Sequence, residues 1–396
     1  MKVVNASFFY NEKLETECEF LEQQYTITGW AEALQKKGID VIVVNRFFRN
    51  SSFEENKVQY HFFKDKFGAR LRAWQVPLQY FKLIRGLNAD VIHLHHLTLS
   101  LQTFILRLLL SKKTAIIVQH HGGKSPNKFK RILHNLLINS ADGFFFTSSD
   151  QGDEWFLKKM RKKIFPVMEG ATFFDYANRN NKPAARIEKT QAREKTGIKG
   201  SPVFLWVGRL DENKDPLTVL DGFELIRSKY PETSLYMIYS EDKMLTEVHR
   251  RIENSTFLKR KVHLLGMIPH DKIEYFYTSA DYFILGSHYE GSGYALSEAL
   301  RCGCVPVVTG IPSFRTMTNN GKLGSLWIPG DKKSLAEAII NVMEKPLENE
   351  AKACMIFFDN TLSFDSIASV ATRHYQQVMD SRKVKKSQKP SAVSHA

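Results

Sequence analysis

The sequence predicts an α/β protein of two domains of one class, each a parallel sheet with helices on both faces. Three observations predict it. Short apolar runs bounded by polar residues recur along the 396-residue chain, as in strands buried on both faces of a parallel sheet. These runs alternate with helical segments, the order that βαβ winding requires. The alternation breaks once, near residues 177–199, where Asn178, Asn180, Asn181 and Pro183 precede a charged stretch. A chain of this length exceeds one ordinary core, and such a break is where it divides.

The first domain is placed at residues 1–180. Its opening strand begins at Val3-Val4. Asn11, Glu12, Glu15 and Glu17 follow where a secretion signal would carry its small-residue cleavage site, so the segment reads as a core strand and not a leader. Residues 30–37 read as a helix stopped by Gly38, and further strands are expected at 39–44, 90–94, 115–118 and 143–147. The linker is placed at 181–200, with a charged helix carrying Lys189, Arg193, Glu194 and Lys195. The second domain covers 201–361. Its first strand is 203–207, and Asp215-Pro216 then opens a helix with Asp as cap and Pro at the first helical position. Leu217, Leu220, Phe223 and Ile226 mark that helix's buried side. Strands are expected at 235–238, 262–265, 282–285 and 305–308, helices at 333–343 and 362–380, and a polar basic tail at 381–396. No motif repeats at a fixed period, so the halves are two domains and not a repeat array.

Composition narrows the function. An apolar content of 43% supplies large cores. Cys18, Cys302, Cys304 and Cys354 form no disulfide framework, and their usage fits a reducing cytosol. Cys302 and Cys304 resemble half a metal site without its second half, and small residues packing a helix end explain them. A net charge of +14 favours an anionic partner. Nucleic acid is the weakest such partner, because no zinc-finger or RNA-binding signature is present. No apolar run reaches the ~18 residues of a spanning helix.

Chemistry concentrates in residues 287–309. A strand ends at Gly286, a loop carries Glu290 and Gly291-Ser292-Gly293, a helix from Tyr294 holds Glu298, and Gly303 stops it before the next strand. Open amides in a helix's first turn, approached across glycines, can cradle a phosphate or sugar oxygen. Along a helical path Glu290 and Glu298 would be about 12 Å apart, too far for the roughly 5 Å carboxylate pair of a retaining glycosidase. The spacing suits two ends of one extended ligand. A second constellation, Val207-Gly208-Arg209-Leu210-Asp211-Glu212-Asn213-Lys214-Asp215-Pro216, joins a strand to a helix. Arg209 and Lys214 could both reach one diphosphate; taken alone, the pair reads rather as surface cations beside Asp211 and Glu212.

Glu290 and Glu298 with seven residues between them, followed by Cys302-Gly303-Cys304-Val305-Pro306-Val307-Val308, resemble the EX7E signature of the retaining group 1 glycosyltransferases. Residues 207–216 resemble that family's diphosphate motif. The resemblance is strongest over 202–330. It implies the GT-B fold, two facing Rossmann-like domains with a central cleft, and a last helix packed back on the first domain. It implies a metal-independent transfer of sugar from a nucleoside diphosphate to an acceptor hydroxyl, with retention of configuration and no cofactor; UDP is expected before GDP as the commoner carrier, and a glycan or lipid-linked acceptor would fit the basic charge. By the resemblance, Glu290, His121, Arg209 and Lys214 are the catalytic candidates. Gly208, Arg209, Lys214, Gly266, Met267, Ile268, Glu290, Gly291, Ser292, Gly293, Tyr294 and Glu298 are the donor-binding candidates, with Glu298 on the ribose and Glu290 on the transferred sugar. Arg209 and Lys214 would stabilise the leaving diphosphate, whose oxygen takes the acceptor proton in the front-face mechanism proposed for the family.

In the first domain Asp90-Val91-Ile92-His93-Leu94-His95-His96 and Val118-Gln119-His120-His121-Gly122-Gly123 resemble the family's two histidine-bearing strand ends. Alignment on Gly122 favours His121, with His120 pointing the other way in a regular strand. Core packing and a metal centre are the other readings of these pairs. Gly29, His120 and Lys124 are the acceptor-side candidates. The sequence departs from the family at Thr28-Gly29-Trp30, where a Gly-Gly loop is usual, at Tyr239-Ser240-Glu241 and at Glu169-Gly170-Ala171. Basic and aromatic residues interleave over 62–85, and Lys158, Lys159, Arg161, Lys162 and Lys163 form a second basic run. Each reads as an anionic membrane surface contact or a solvated face. The expected location is the cytoplasm, with the inner membrane face as that surface. A noncatalytic nucleotide-sugar binding protein and a sugar-nucleotide epimerase of the same fold are the alternative functions.

Overall fold

The structure is a computed structural model that describes residues 1–123, 125–170 and 186–387, the last four by backbone alone. The chain forms two compact units. The first gathers Met1–Glu169 with the C-terminal helix, and the second holds residues up to Ser363.

The first unit runs β1 (Lys2–Ser7), α1 (Glu17–Gln23), α2 (Tyr25–Lys36), β2 (Asp40–Arg46), β3 (Ser51–Glu55), β4 (Val58–Phe63), α3 (Leu78–Gly86), β5 (Val91–Leu94), α4 (Ser100–Leu109), β6 (Ala115–Gln119), α5 (Lys128–Ile138), β7 (Gly143–Phe146), α6 (Ser149–Trp155), a 3-10 turn (Lys158–Lys163) and β8 (Ile164–Pro166). The second runs α7 (Lys189–Thr196), β9 (Val203–Gly208), α8 (Pro216–Leu225), β10 (Ser234–Tyr239), α9 (Leu245–Glu253), α10 (Thr256–Lys261), β11 (Val262–Gly266), α11 (His270–Ser279), β12 (Tyr282–Leu285), α12 (Tyr294–Arg301), β13 (Val305–Thr309), α13 (Pro312–Met317), β14 (Ser325–Trp327), α14 (Lys332–Met343) and α15 (Leu347–Phe357). The final helix, α16 (Phe364–Ser387), returns to the first unit.

The first sheet has the order β3-β4-β2-β1-β5-β6-β7-β8. It is parallel except for the β3–β4 hairpin. Strand pleating sends alternate residues to opposite faces. Val3, Val41, Val43, Val91, Ile117 and Phe145 pack with Trp30 and Leu34 of α2 and Tyr375 and Val378 of α16. Val4, Ile42, Val44, Ile92, Val118 and Phe144 pack with Tyr80, Phe81 and Ile84 of α3 and Leu106 of α4. Two apolar faces explain the unbroken hydrophobic strands. The second sheet, β11-β10-β9-β12-β13-β14, is parallel throughout.

Each sheet has one point where the winding reverses. In the first unit the chain leaves β1 toward β2 and resumes on the other side at β5. In the second it leaves β9 toward β10 and β11 and resumes at β12. Beyond the carboxyl ends of the strands at such a switch point, two loops diverge and leave a crevice, the usual ligand site of an open α/β sheet.

Several sequence expectations are corrected. Residues 62–85 are not one basic–aromatic surface. Phe62, Tyr80 and Phe81 are core residues, and the Tyr80 hydroxyl lies 2.8 and 2.7 Å from the carbonyls of Ser7 and Val44. Residues 189–200, read as linker, belong to the second unit, where Lys189 and Arg193 of α7 both reach Asp281. Linker residues 181–185 and tail residues 388–396 lie outside the described residues, and α16 continues through 381–387, read as tail. Gly29 lies within α2, not in a loop. A Cβ on it would lie 2.5 Å from the Phe364 ring, so this glycine makes room for α16.

Candidate active site

In the second unit the two loops at the switch point carry the residues that the sequence singled out. β9 ends at Gly208 and leads through residues 209–214 into α8. Asp215 caps that helix in the left-handed region, at φ 45°, accepting from the Thr218 amide at 3.2 Å. β12 ends at Leu285 and leads through Gly286 toward α12. Gly286 permits close approach, since a Cβ there would meet the carbonyl oxygens of Lys214 and Asp215 at 3.0 and 3.1 Å. Asn213 stitches the loops together: its carbonyl accepts from His288 at 2.9 Å, its Oδ1 from the Tyr289 amide at 3.2 Å, and its Nδ2 donates to the Tyr289 carbonyl at 3.1 Å. Asn213 is part of the sequence motif but was not itself singled out.

The stitching brings Lys214 and Glu290 together. The Lys214 ammonium pairs with Glu290 Oε1, and the two side chains are only 12% and 14% exposed. Asp211 fixes the Lys214 backbone, accepting its amide through Oδ1 at 3.1 Å. Gly208 lies against the Lys214 stem, its hypothetical Cβ 3.5 Å from Cγ. Arg209 is less committed. It is 46% exposed, with its guanidinium 3.2 Å from Asp211 and 3.9 Å from Glu241.

Glu290 and Glu298 hold different partners. α12 starts at Tyr294, so the path from Glu290 is helical only in part, which corrects the all-helical spacing. Gly293 opens the helix at φ 85°, where a Cβ would lie 2.6 Å from Phe314. Gly291 and Ser292 are buried ahead of it, and Tyr294 is half-buried. Glu298 is nearly buried and meets His270 Nε2 at 3.2 Å. His270 opens α11 directly after the β11 loop. Gly266 turns that loop at φ 71°, Met267 is 76% exposed and Ile268 half-buried. The loop of Gly266, Met267 and Ile268 thus adjoins Glu298 through His270, which sequence reasoning missed because nothing in its local pattern marks it. Tyr277 is buried beside Glu298, and burial raises its phenol well above the ordinary value. Burial also pushes the Cys302 thiol up to about 12, while Cys304 contacts the Tyr277 carbonyl at 2.8 Å. Both thiols pack the helix end.

In the first unit the switch point carries a histidine cluster. His121 stands just beyond β6, its ring stacked on His95 with centroids 5.0 Å apart. Its Nε2 lies 2.8 Å from His95 Nδ1, and its Nδ1 pairs with Glu169. His95 Nε2 in turn reaches Asn5 Oδ1 on β1. The series Asn5–His95–His121–Glu169 fixes the His121 ring through both nitrogens, so a ligand hydroxyl reaches a ring nitrogen only by replacing one partner. Burial lowers His93 and His96 to about 3 and His95 well below its ordinary value. These rings stay neutral. His120 points away, stacked on Phe146 and 5% exposed, which removes it as an acceptor contact. Lys124 lies outside the described residues. Among the described residues no group of three or more His, Cys, Asp or Glu is arranged to hold a metal ion.

Two family models match. "Glycosyl transferases group 1" covers residues 188–355, and "Glycosyltransferase Family 4" covers 23–164. The chain is 28% identical to the mannosylfructose-phosphate synthase of Agrobacterium fabrum over 233 residues, 56% of this chain and 48% of that protein. It is 28% identical over 175 residues to the UDP-Gal:alpha-D-GlcNAc-diphosphoundecaprenol alpha-1,3-galactosyltransferase of Escherichia coli, 43% of this chain and 45% of that protein. The chain thus spans about half the length of these two relatives. HepE of Anabaena, solved in complex with UDP and glucose, superposes with a TM-score of 0.67 at 14% identity, covering 95% of this chain and 100% of that one. That likeness shows the GT-B fold.

Proposed function

We propose that this chain, which belongs to the group 1 glycosyl transferases, moves a sugar from a nucleoside diphosphate to an acceptor hydroxyl with retention of configuration. UDP is preferred to GDP as the carrier, and the acceptor is a glycan or a lipid-linked glycan in cell-surface or lipopolysaccharide synthesis on the cytoplasmic side of the membrane. The observation that carries this reading is the Lys214–Glu290 pair, withdrawn from water where two loops meet at the switch point.

The diphosphate lies along this crevice. Lys214 and Arg209 meet the leaving phosphates, whose charge grows as the sugar–oxygen bond breaks, and this fixed positive charge requires no metal. Glu290, Gly291, Ser292, Gly293 and Tyr294 receive the transferred sugar and the adjoining phosphate. Glu298 holds the ribose, and the backbone of Met267 and Ile268 holds the base. On the acceptor side His121 exchanges its bond to His95 for a sugar hydroxyl while Glu169 keeps the ring in place. The departing phosphate oxygen takes the acceptor proton. The relative named for a diphosphoundecaprenol acceptor supports the lipid-linked class, and the UDP in the HepE complex supports the choice of carrier.

The test is incubation with UDP-sugars and a polyprenyl-diphosphate glycan, followed by NMR of the product. An α-linked product from an α-linked donor is expected. A β-linked product, or release of free sugar alone with every acceptor, contradicts the proposal.

A further inference from the structure

Helix α5 is turned inside out. Its inward side is polar: His134 Nε2 donates to the Leu97 carbonyl at 2.9 Å, Asn135 Nδ2 donates to the Trp155 carbonyl at 2.9 Å, and Asn135 Oδ1 accepts the Leu157 amide at 2.9 Å. These bonds, with Ile138 fully buried beside them, fix the rotation of the helix about its axis. The outward side is apolar. Phe129 is 88% exposed, Ile132 63%, Leu133 60% and Leu136 73%. The spacing i, i+3, i+4, i+7 makes one continuous stripe. A surface helix ordinarily carries the opposite polarity, and a contiguous exposed apolar patch marks an interaction surface.

Basic residues frame the stripe. Lys128 and Lys130 are exposed on the helix itself. The turn Lys158–Lys163 is tied to the segment after α5 by Lys163, whose ammonium donates to the Asn139 carbonyl at 2.8 Å and to the Ala141 carbonyl at 2.9 Å. In that turn Lys158, Lys159 and Lys162 are exposed, while Arg161 pairs with Asp153 at 2.6 Å.

We propose that α5 is an interfacial helix that seats the protein on an anionic lipid bilayer. Phe129, Ile132, Leu133 and Leu136 enter the boundary between headgroups and acyl chains, and the surrounding lysines meet lipid phosphates. Charge selects this occupant over a second copy of the chain. A twofold contact through the stripe would bring two basic frames together on chains that each carry +14. The inference concerns a surface distinct from the donor crevice and does not depend on the transfer chemistry.

The experiment is co-sedimentation of the full chain with vesicles of phosphatidylcholine alone or mixed with phosphatidylglycerol, beside sedimentation velocity without lipid. Binding to the mixed vesicles, weak binding to the neutral ones and a lipid-free monomer are expected. Phe129→Ser with Leu136→Ser should reduce partition by about tenfold or more while changing the thermal midpoint little, because these side chains are 88% and 73% exposed. Lys128→Glu with Lys130→Glu should reduce binding to the mixed vesicles only. Equal binding by the apolar variant, equal binding to both vesicle types, or no binding to either overturns the proposal. A lipid-free dimer that the apolar substitutions dissociate also overturns it and assigns the stripe to a second copy.

Discussion

Replacing Lys214 with alanine removes the ammonium that the two loops hold beside Glu290. A charge-assisted bond from this group to a phosphate oxygen contributes about 1.5–3 kcal/mol, so the Kd for UDP should rise about ten- to a hundredfold. The structure adds a second effect of the same sign. Glu290 is 14% exposed, and removing Lys214 takes away the ammonium that screens its carboxylate from the incoming diphosphate. Adding Glu290→Gln should therefore recover part of the loss, so that the double variant binds UDP more tightly than Lys214→Ala alone, a coupling that a double-mutant cycle isolates. The assay is calorimetric titration of UDP into the four proteins, with urea unfolding of each to confirm the fold. A Kd for Lys214→Ala within about twofold of the parent, well below the energy of one charged bond, would falsify the assignment of this lysine to the diphosphate. Strictly additive losses in the cycle would refute the coupling.

Glu298→Ala should weaken UDP binding about tenfold, the worth of a charged hydrogen bond to ribose, whereas Glu290→Ala should mainly lower kcat; titration and initial rates with a UDP-sugar separate the two. Gly29→Ala places a methyl 2.5 Å from the Phe364 ring and should destabilise the first unit by about 1–3 kcal/mol, read from the urea midpoint, despite alanine's better helix propensity. His93 and His96 are held neutral by burial at about 3, against an ordinary value of 6.5. Below 6.5 the unfolded chain binds protons that the native rings refuse, so stability is full above that pH and falls as pH drops toward 3, by up to about 1.4 kcal/mol per pH unit for each ring. Urea midpoints measured between neutral pH and pH 5 check this, and a flat profile contradicts it.

The parallel sheets were legible because burial on both faces writes each strand as an unbroken apolar run, as in residues 115–118 and 282–285. The β3–β4 hairpin was not, although Val58, Tyr60 and Phe62 alternate with less buried residues as a half-exposed strand requires. Aromatic and basic residues in the neighbourhood masked that period of two. Lys214, Glu290 and Glu298 stood out in the sequence because each lies in a compact motif where a strand hands over to a helix, and the structure pairs the first two. Their partners were harder. Asn213 works through its backbone and amide, His270 lies 28 residues from Glu298, and Asn5 reaches His95 only because β1 and β5 are neighbours in the sheet. Gly29 misled because a glycine that makes room for a helix looks, in one dimension, like a glycine that shapes a loop. The outward stripe of α5 was hidden for a related reason: a helical period shows that one side is apolar, and only His134 and Asn135 bonded inward show which way that side faces.

Thermal stabilisation by UDP, GDP and ADP and their sugars, measured with and without EDTA, shows whether the crevice of the second unit binds a nucleoside diphosphate without a metal. A shift with a uridine diphosphate that survives EDTA is expected, since the cations at 209 and 214 supply the charge. No shift with any nucleotide, or a shift that EDTA abolishes, would contradict the proposed function.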